Sequence, residues 1–126
     1  MDFEASSDMF ADCRIPADKD FLSQEELGRL TPAALTSRVS ALAPMIASHA
    51  AEAERLHRPV DEGWSALRAS GFFYQFVPKA FGGLATDFDS FFDACLPVAE
   101  ACASTGWVAA FCAGHNWFLA HFPMET

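Results

Sequence analysis

From Ala101 to Met124 the sequence contains no aspartate, glutamate, lysine or arginine. Basic residues are scarce throughout: 8 Lys and Arg stand against 17 Asp and Glu, a formal net charge of -9. That deficit argues against nucleic acid and anionic membrane surfaces, whose phosphates would be repelled. The four cysteines, Cys13, Cys95, Cys102 and Cys112, form no C-x-x-C pair. Neither a zinc site nor a disulfide framework is indicated, and no metal is expected. With apolar neighbours they read as plain buried thiols of a reducing cytoplasm. Period-two alternation is also missing, apart from an ambiguous patch at 72–77, which argues against a sheet-based fold. H-E-x-x-H, G-x-S-x-G, G-x-G-x-x-G and G-x-x-x-x-G-K-[ST] do not occur, so no self-sufficient catalytic or phosphate-binding motif is carried. The N-terminal "MDFEASSDMF" has no basic start with an apolar run behind it. No signal peptide is read there, and a cytoplasmic location is expected.

What the chain does have is helical spacing and many phenylalanines, 13 in 126 residues. A single domain of this length buries about two thirds of its unfolded surface, so a core without staples is possible. Residues 1–30 show weak periodicity and are expected to form a mobile tail, with a short helix near Ser23–Leu30. A helical domain is then expected over 31–126. Thr31 and Pro32 mark a helix start. Leu35, Val39, Leu42, Ile46, His49, Ala53 and Leu56 follow on one face, with Pro44 predicting a kink or break. His49 and His57 sit among charges and read as solvated. Asp61-Glu62 starts a second helix and Gly71 ends it. "FFYQFVPKAFGGL" reads as a packed loop. Asp87 caps a third helix bearing Phe88, Phe91, Phe92, Cys95, Ala99 and Cys102, with Pro97 again predicting a bend. Ser104 or Thr105 is expected to cap the fourth. The fold class is all-α, a kinked bundle of about four main helices.

The charge-free segment is long enough to suggest a membrane span. Ser104, Thr105, Gly106, His115, Asn116 and His121 would be costly in lipid, and no Lys or Arg flanks it closely. It reads instead as a helix surrounded by protein, at the centre of something larger whose cover is further domains or other subunits. At about 100° per residue, Trp107, Phe111, Gly114, His115, Phe118 and Phe122 share one stripe. Gly114 within a helix costs about 1 kcal/mol against alanine and calls for a packing reason, such as close approach of backbone or ligand. A bland account stands beside this one. A histidine on an apolar face is commonly a core residue bonded to a carbonyl, and Trp107 and Trp117 serve equally as core.

Two stretches together carry a resemblance: "AEAERLHRPVDEGWSALRASGFFYQFVPKAFGGL" and "ACASTGWVAAFCAGHNWFLAHFP". They resemble the N-terminal helical domain of the acyl-CoA dehydrogenase superfamily. Within it, the oxygenase components of two-component flavin-dependent monooxygenases are nearest, of the p-hydroxyphenylacetate 3-hydroxylase and steroid-phenol hydroxylase type. The cues are an acid-started helix ending in Gly-Phe, a Val-Pro-x-x-x-Gly-Gly-Leu loop, and Ser-Thr-Gly-Trp followed by His-Asn-Trp. The likeness covers about residues 31–123. "HRPVDE" departs from the usual helix entry, and the family's middle β-barrel and C-terminal helical bundle are not in the chain.

The resemblance implies a function. A separate flavin reductase supplies reduced flavin, FMN or FAD, and oxygen is transferred to a phenolic substrate in a dry pocket. His115 matches a substrate-contacting, catalytic histidine. Phe111 and Phe118 are the implied substrate wall, and Trp107 with Ser104 the flavin side. The implied assembly is a tetramer. The isolated chain is expected to be inactive, to bind flavin weakly if at all, and to self-associate through apolar surface. An acyl-CoA dehydrogenase oxidising a thioester with FAD, and a non-catalytic helical module, are the alternatives.

Overall fold

The computed structural model describes residues 21–123. Of the tail expected over residues 1–30, residues 1–20 lie outside the described residues. Within these residues six helices follow one another: α1 (Gln24–Arg29), α2 (Pro32–Ser48), α3 (Ala50–Leu56), α4 (Asp61–Ser70), α5 (Phe88–Ala101) and α6 (Ala103–Leu119). Among the described residues there is no strand. None of their helices is long and apolar enough to cross a membrane.

Helix starts and stops follow local chemistry. Ser23 and Glu26 close a reciprocal capping box on α1, which satisfies two otherwise orphaned backbone groups. Thr31 accepts from the Ala34 amide with Pro32 at the first helical position, and Asp87 accepts from the Ser90 amide at the start of α5. Gly71 ends α4 at φ 96°, a left-handed conformation that side chains rarely adopt. Pro44 does not end α2. The helix runs through it, and the interruption comes at His49, with φ -97° and ψ 1°. His49 is partly buried rather than solvated. Its Nε2 lies 2.9 Å from Glu62 Oε2, tying the α2–α3 break to the first turn of α4. Pro97 is likewise carried inside a continuous α5.

The core forms where α2, α5 and α6 meet, with α4 against α2. Leu35, Val39 and Ile46 of α2 face Phe91, Ala94, Cys95 and Val98 of α5, with Leu67 from α4 and Ala109 and Ala113 from α6. Each fully buried large side chain stabilises the fold by about 1.5–3 kcal/mol. Leu27 and Leu30 are buried in the same core, so α1 packs with the helices that follow it. The expected face of α5 is displaced: Phe88 and Phe92 are exposed, and Ala94 and Val98 take their place inside.

Residues 72–86, which read as loop or strand, fold back on themselves through two short 3-10 turns. The amides of Leu84, Ala85 and Thr86 donate to the carbonyls of Tyr74, Val77 and Gln75 at 3.0, 3.1 and 2.7 Å. Phe72 and Gln75 are fully buried in this segment.

Helix α6 begins two residues before the start that a Ser104 cap would give. Cys102, extended at φ -157° and ψ 108°, is its N-terminal flank, and neither Ser104 nor Thr105 caps it. Its inward face consists of Thr105, Gly106, Ala109 and Ala113. A Cβ on Gly106 would stand 2.5 Å from the Ala99 Cα and 2.8 Å from its nitrogen. These are backbone atoms that no rotamer change can move, so α5 and α6 cross at the distance only glycine allows. Gly106→Ala should therefore destabilise the domain by about 1–3 kcal/mol despite alanine's better helix propensity. A lowered urea midpoint would show it; an unchanged or raised midpoint would contradict the close crossing.

Candidate functional site

Because small residues face inward, the large ones on α6 face out. Trp107, Phe111 and Phe118 are 71%, 54% and 59% exposed in this chain. The cover expected for this helix was assigned to further domains or other subunits, and within the described residues the stripe stands open. His115 is exposed with it.

The stripe borders an open groove of about 530 Å³. From α6 come Ala110, Phe111, Gly114, His115, Trp117 and Phe118; the opposite wall is Phe76 with Phe88 and Phe91. The aromatic rings lock the wall together. Phe76 lies 5.1 Å from Phe88 and 4.6 Å from Phe91, and Phe88 lies 5.9 Å from Trp117, centroid to centroid. Such tilted pairs add about 0.5–1.5 kcal/mol each beyond the area they bury.

His115 is the histidine of this groove. Its Nδ1 lies 2.7 Å from the Phe111 carbonyl oxygen, one turn back. A carbonyl only accepts, so Nδ1 carries the proton and Nε2 of the neutral ring is left as an acceptor. The ring is held between Phe111 at 4.1 Å and Phe118 at 5.7 Å. His121 repeats the arrangement, with Nδ1 2.6 Å from the Trp117 carbonyl, but it does not line the groove.

His115, Phe111 and Phe118 are therefore brought together as expected from their spacing. Trp107 stands at the end of the stripe, its ring 6.1 Å from Phe111 and tilted 33° to it. Ser104 is separate. It lines a different cavity of about 260 Å³ with Glu54, His57 and Arg58.

The described thiols divide. Cys95 is buried, and desolvation pushes its pKa up to about 12. Cys102 is buried as well; desolvation works to raise its pKa, but hydrogen bonding to Ser104 and Thr105 outweighs it and draws the value down. Cys112 is exposed, which corrects its reading as a buried thiol, and partial desolvation still raises its pKa. Cys13 lies outside the described residues. Among the described residues no group of three His, Cys, Asp or Glu is arranged to hold a metal ion.

Two kinds of contributor escape sequence reasoning. Phe76 and Phe88 come from other segments, and nothing in their local pattern points to a shared wall. Asn116 is the second: its Nδ2 donates to the Phe73 carbonyl at 2.9 Å. That bond ties α6 to the folded-back loop at the residue next to His115. The His-Asn-Trp triplet was the available signal.

Comparison with known proteins adds the following. The family model for the acyl-CoA dehydrogenase N-terminal domain matches residues 22–125. The oxygenase component of an FADH(2)-dependent resorcinol hydroxylase from Rhizobium sp. is 40% identical over 92 residues, 73% of this chain and 22% of that protein. The oxygenase subunit HsaA of a flavin-dependent monooxygenase from Rhodococcus jostii is 40% identical over 89 residues, covering 71% and 23%. The oxygenase component of p-hydroxyphenylacetate 3-hydroxylase from Acinetobacter baumannii is 32% identical over 91 residues, covering 72% and 22%. The chain thus spans less than a quarter of the length of these relatives. No solved structure matches it significantly.

Asn116→Ala should leave the Phe73 carbonyl without its donor and cost about 1–2 kcal/mol. Urea unfolding should show this, together with altered His115 ring signals in NMR. Wild-type stability with unmoved His115 signals would remove Asn116 from a positioning role.

Proposed function

We propose, from the premise that this chain belongs to the acyl-CoA dehydrogenase N-terminal domain family, that it forms one wall of the site of a flavin-dependent oxygenase hydroxylating a phenol. One observation carries the reading. His115 presents an acceptor nitrogen, with its other nitrogen already bonded to the Phe111 carbonyl, between two aromatic rings in an apolar groove. The three relatives, oxygenase parts of two hydroxylases and of a flavin-dependent monooxygenase, support the same kind of chemistry.

In this reading His115 Nε2 accepts the hydrogen bond of the phenol hydroxyl. Drawing that proton toward the imidazole leaves more electron density on the ring, which prepares the adjacent carbon for an electrophilic oxygen. Phe111 and Phe118 hold the ring and keep water from it. Reduced flavin, when bound, supplies two electrons to oxygen, one atom going to the substrate and the other to water. Trp107 and Phe111, exposed and tilted 33°, fit a flat apolar surface against such a ring system. They offer one wall and no phosphate-binding motif. Ser104, in its own cavity, would reach flavin only from the first turn of α6. A reductase supplying the flavin, FMN or FAD, and further polypeptide or subunits completing the pocket belong to the same proposal.

Two outcomes are expected. In the complete oxygenase with its reductase, His115→Ala should reduce hydroxylation by about 100-fold or more while hydrogen peroxide formation continues. Unchanged coupling of oxygen to product would sink the role of His115. Titration of this chain with FMN or FAD, followed by flavin fluorescence, should show no tight stoichiometric complex, and such a complex would refute the single-wall account.

A further inference from the structure

Two glycines of α6 behave in opposite ways. Gly106 is required by the Ala99 backbone, whereas a Cβ on Gly114 would meet no atom within 4 Å. Gly114 sits well inside a 17-residue helix, where glycine is the poorest choice after proline for helix stability. Packing among the described residues gives no reason for it, and neither does its backbone conformation, since its φ is not positive. The space its missing side chain leaves open belongs to the groove that holds His115, Phe111 and Phe118.

We propose that Gly114 is a specificity-determining residue: it leaves the floor of the groove bare so that the substrate's aromatic ring lies flat against the helix beside His115. The inference rests on the functional reading above and adds to it which residue sets the size of the ring that His115 can reach. The geometry is simple. A planar ring rests about 3.5–4.0 Å from the atoms beneath it. At Gly114 those atoms are backbone, so the ring sits lower than it would over any other residue. His115 is the next residue along and reaches the same groove, so a ring seated on Gly114 brings its hydroxyl to Nε2. Phe111 and Phe118, a turn to either side, bound the ring at its edges. A methyl at position 114 lifts the ring away from Nε2, and a longer side chain fills the seat.

The test uses the complete oxygenase that carries this domain and two probes, phenol and 4-tert-butylphenol, titrated against the imidazole signals of His115 in NMR. Thermal melting is recorded for wild type, Gly114→Ala and Gly114→Leu. Both probes should move the His115 signals of wild type. Gly114→Ala should melt at the wild-type temperature or above it and weaken 4-tert-butylphenol by about tenfold more than phenol. Gly114→Leu should weaken both. If both variants bind both phenols as wild type does, the ring does not sit on Gly114, and the inference falls while the role of His115 stands. If the variants melt markedly lower with unchanged phenol selectivity, the open space faces protein and the inference falls in the same way. If neither phenol moves His115 in wild type, the functional reading itself fails and takes the inference with it.

Discussion

The crossing of α5 and α6 at Gly106 and Ala99 is the constraint on which the rest of the molecule depends. Two helices can approach so closely only where one of them has no side chain. Once that contact is made, Thr105, Ala109 and Ala113 follow Gly106 inward on the same face. The rotation of α6 is then fixed, and its bulky residues have only the outward side left. The groove therefore does not arise from the aromatic residues themselves. It arises from a seam of small ones on the opposite face of the same helix.

How much of this was legible in the sequence depends on what kind of signal each feature leaves. Helix starts and stops are written in short-range chemistry, and Thr31-Pro32, Asp87 and Gly71 all read correctly. The interruption near Pro44 was anticipated but misplaced. A proline removes one donor, which an exposed stretch of helix tolerates, and the chain breaks instead at His49, where Glu62 supplies a partner. Which face of α6 turns inward was not legible. Patterns of polarity locate the buried side of a helix by contrast with its charged side, and a helix without charges offers no contrast. Side-chain size decided the matter, and size is a weak signal until the partner helix is known. The grouping of His115 with Phe111 and Phe118, by contrast, follows from spacing alone.

The site combines residues whose placement has different origins. Asn116 anchors α6 to a loop distant in sequence, and that loop also supplies Phe76 to the opposite wall. One segment, residues 72–86, thus both orients the helix that bears the histidine and closes the groove in front of it. A change in the loop is transmitted to the site twice, through the rotation of α6 and through the position of the wall.

The hydrogen bond from His115 to the Phe111 carbonyl spans a single helical turn. It needs no tertiary structure, so it can form as soon as α6 does, on the submicrosecond scale of helix formation. The Phe76, Phe88 and Phe91 wall comes from earlier parts of the chain and must wait for loop closure and collapse. The two parts of the groove thus differ in range: the tautomer of His115 is set within one turn of its own helix, whereas the walls around it depend on packing between distant segments.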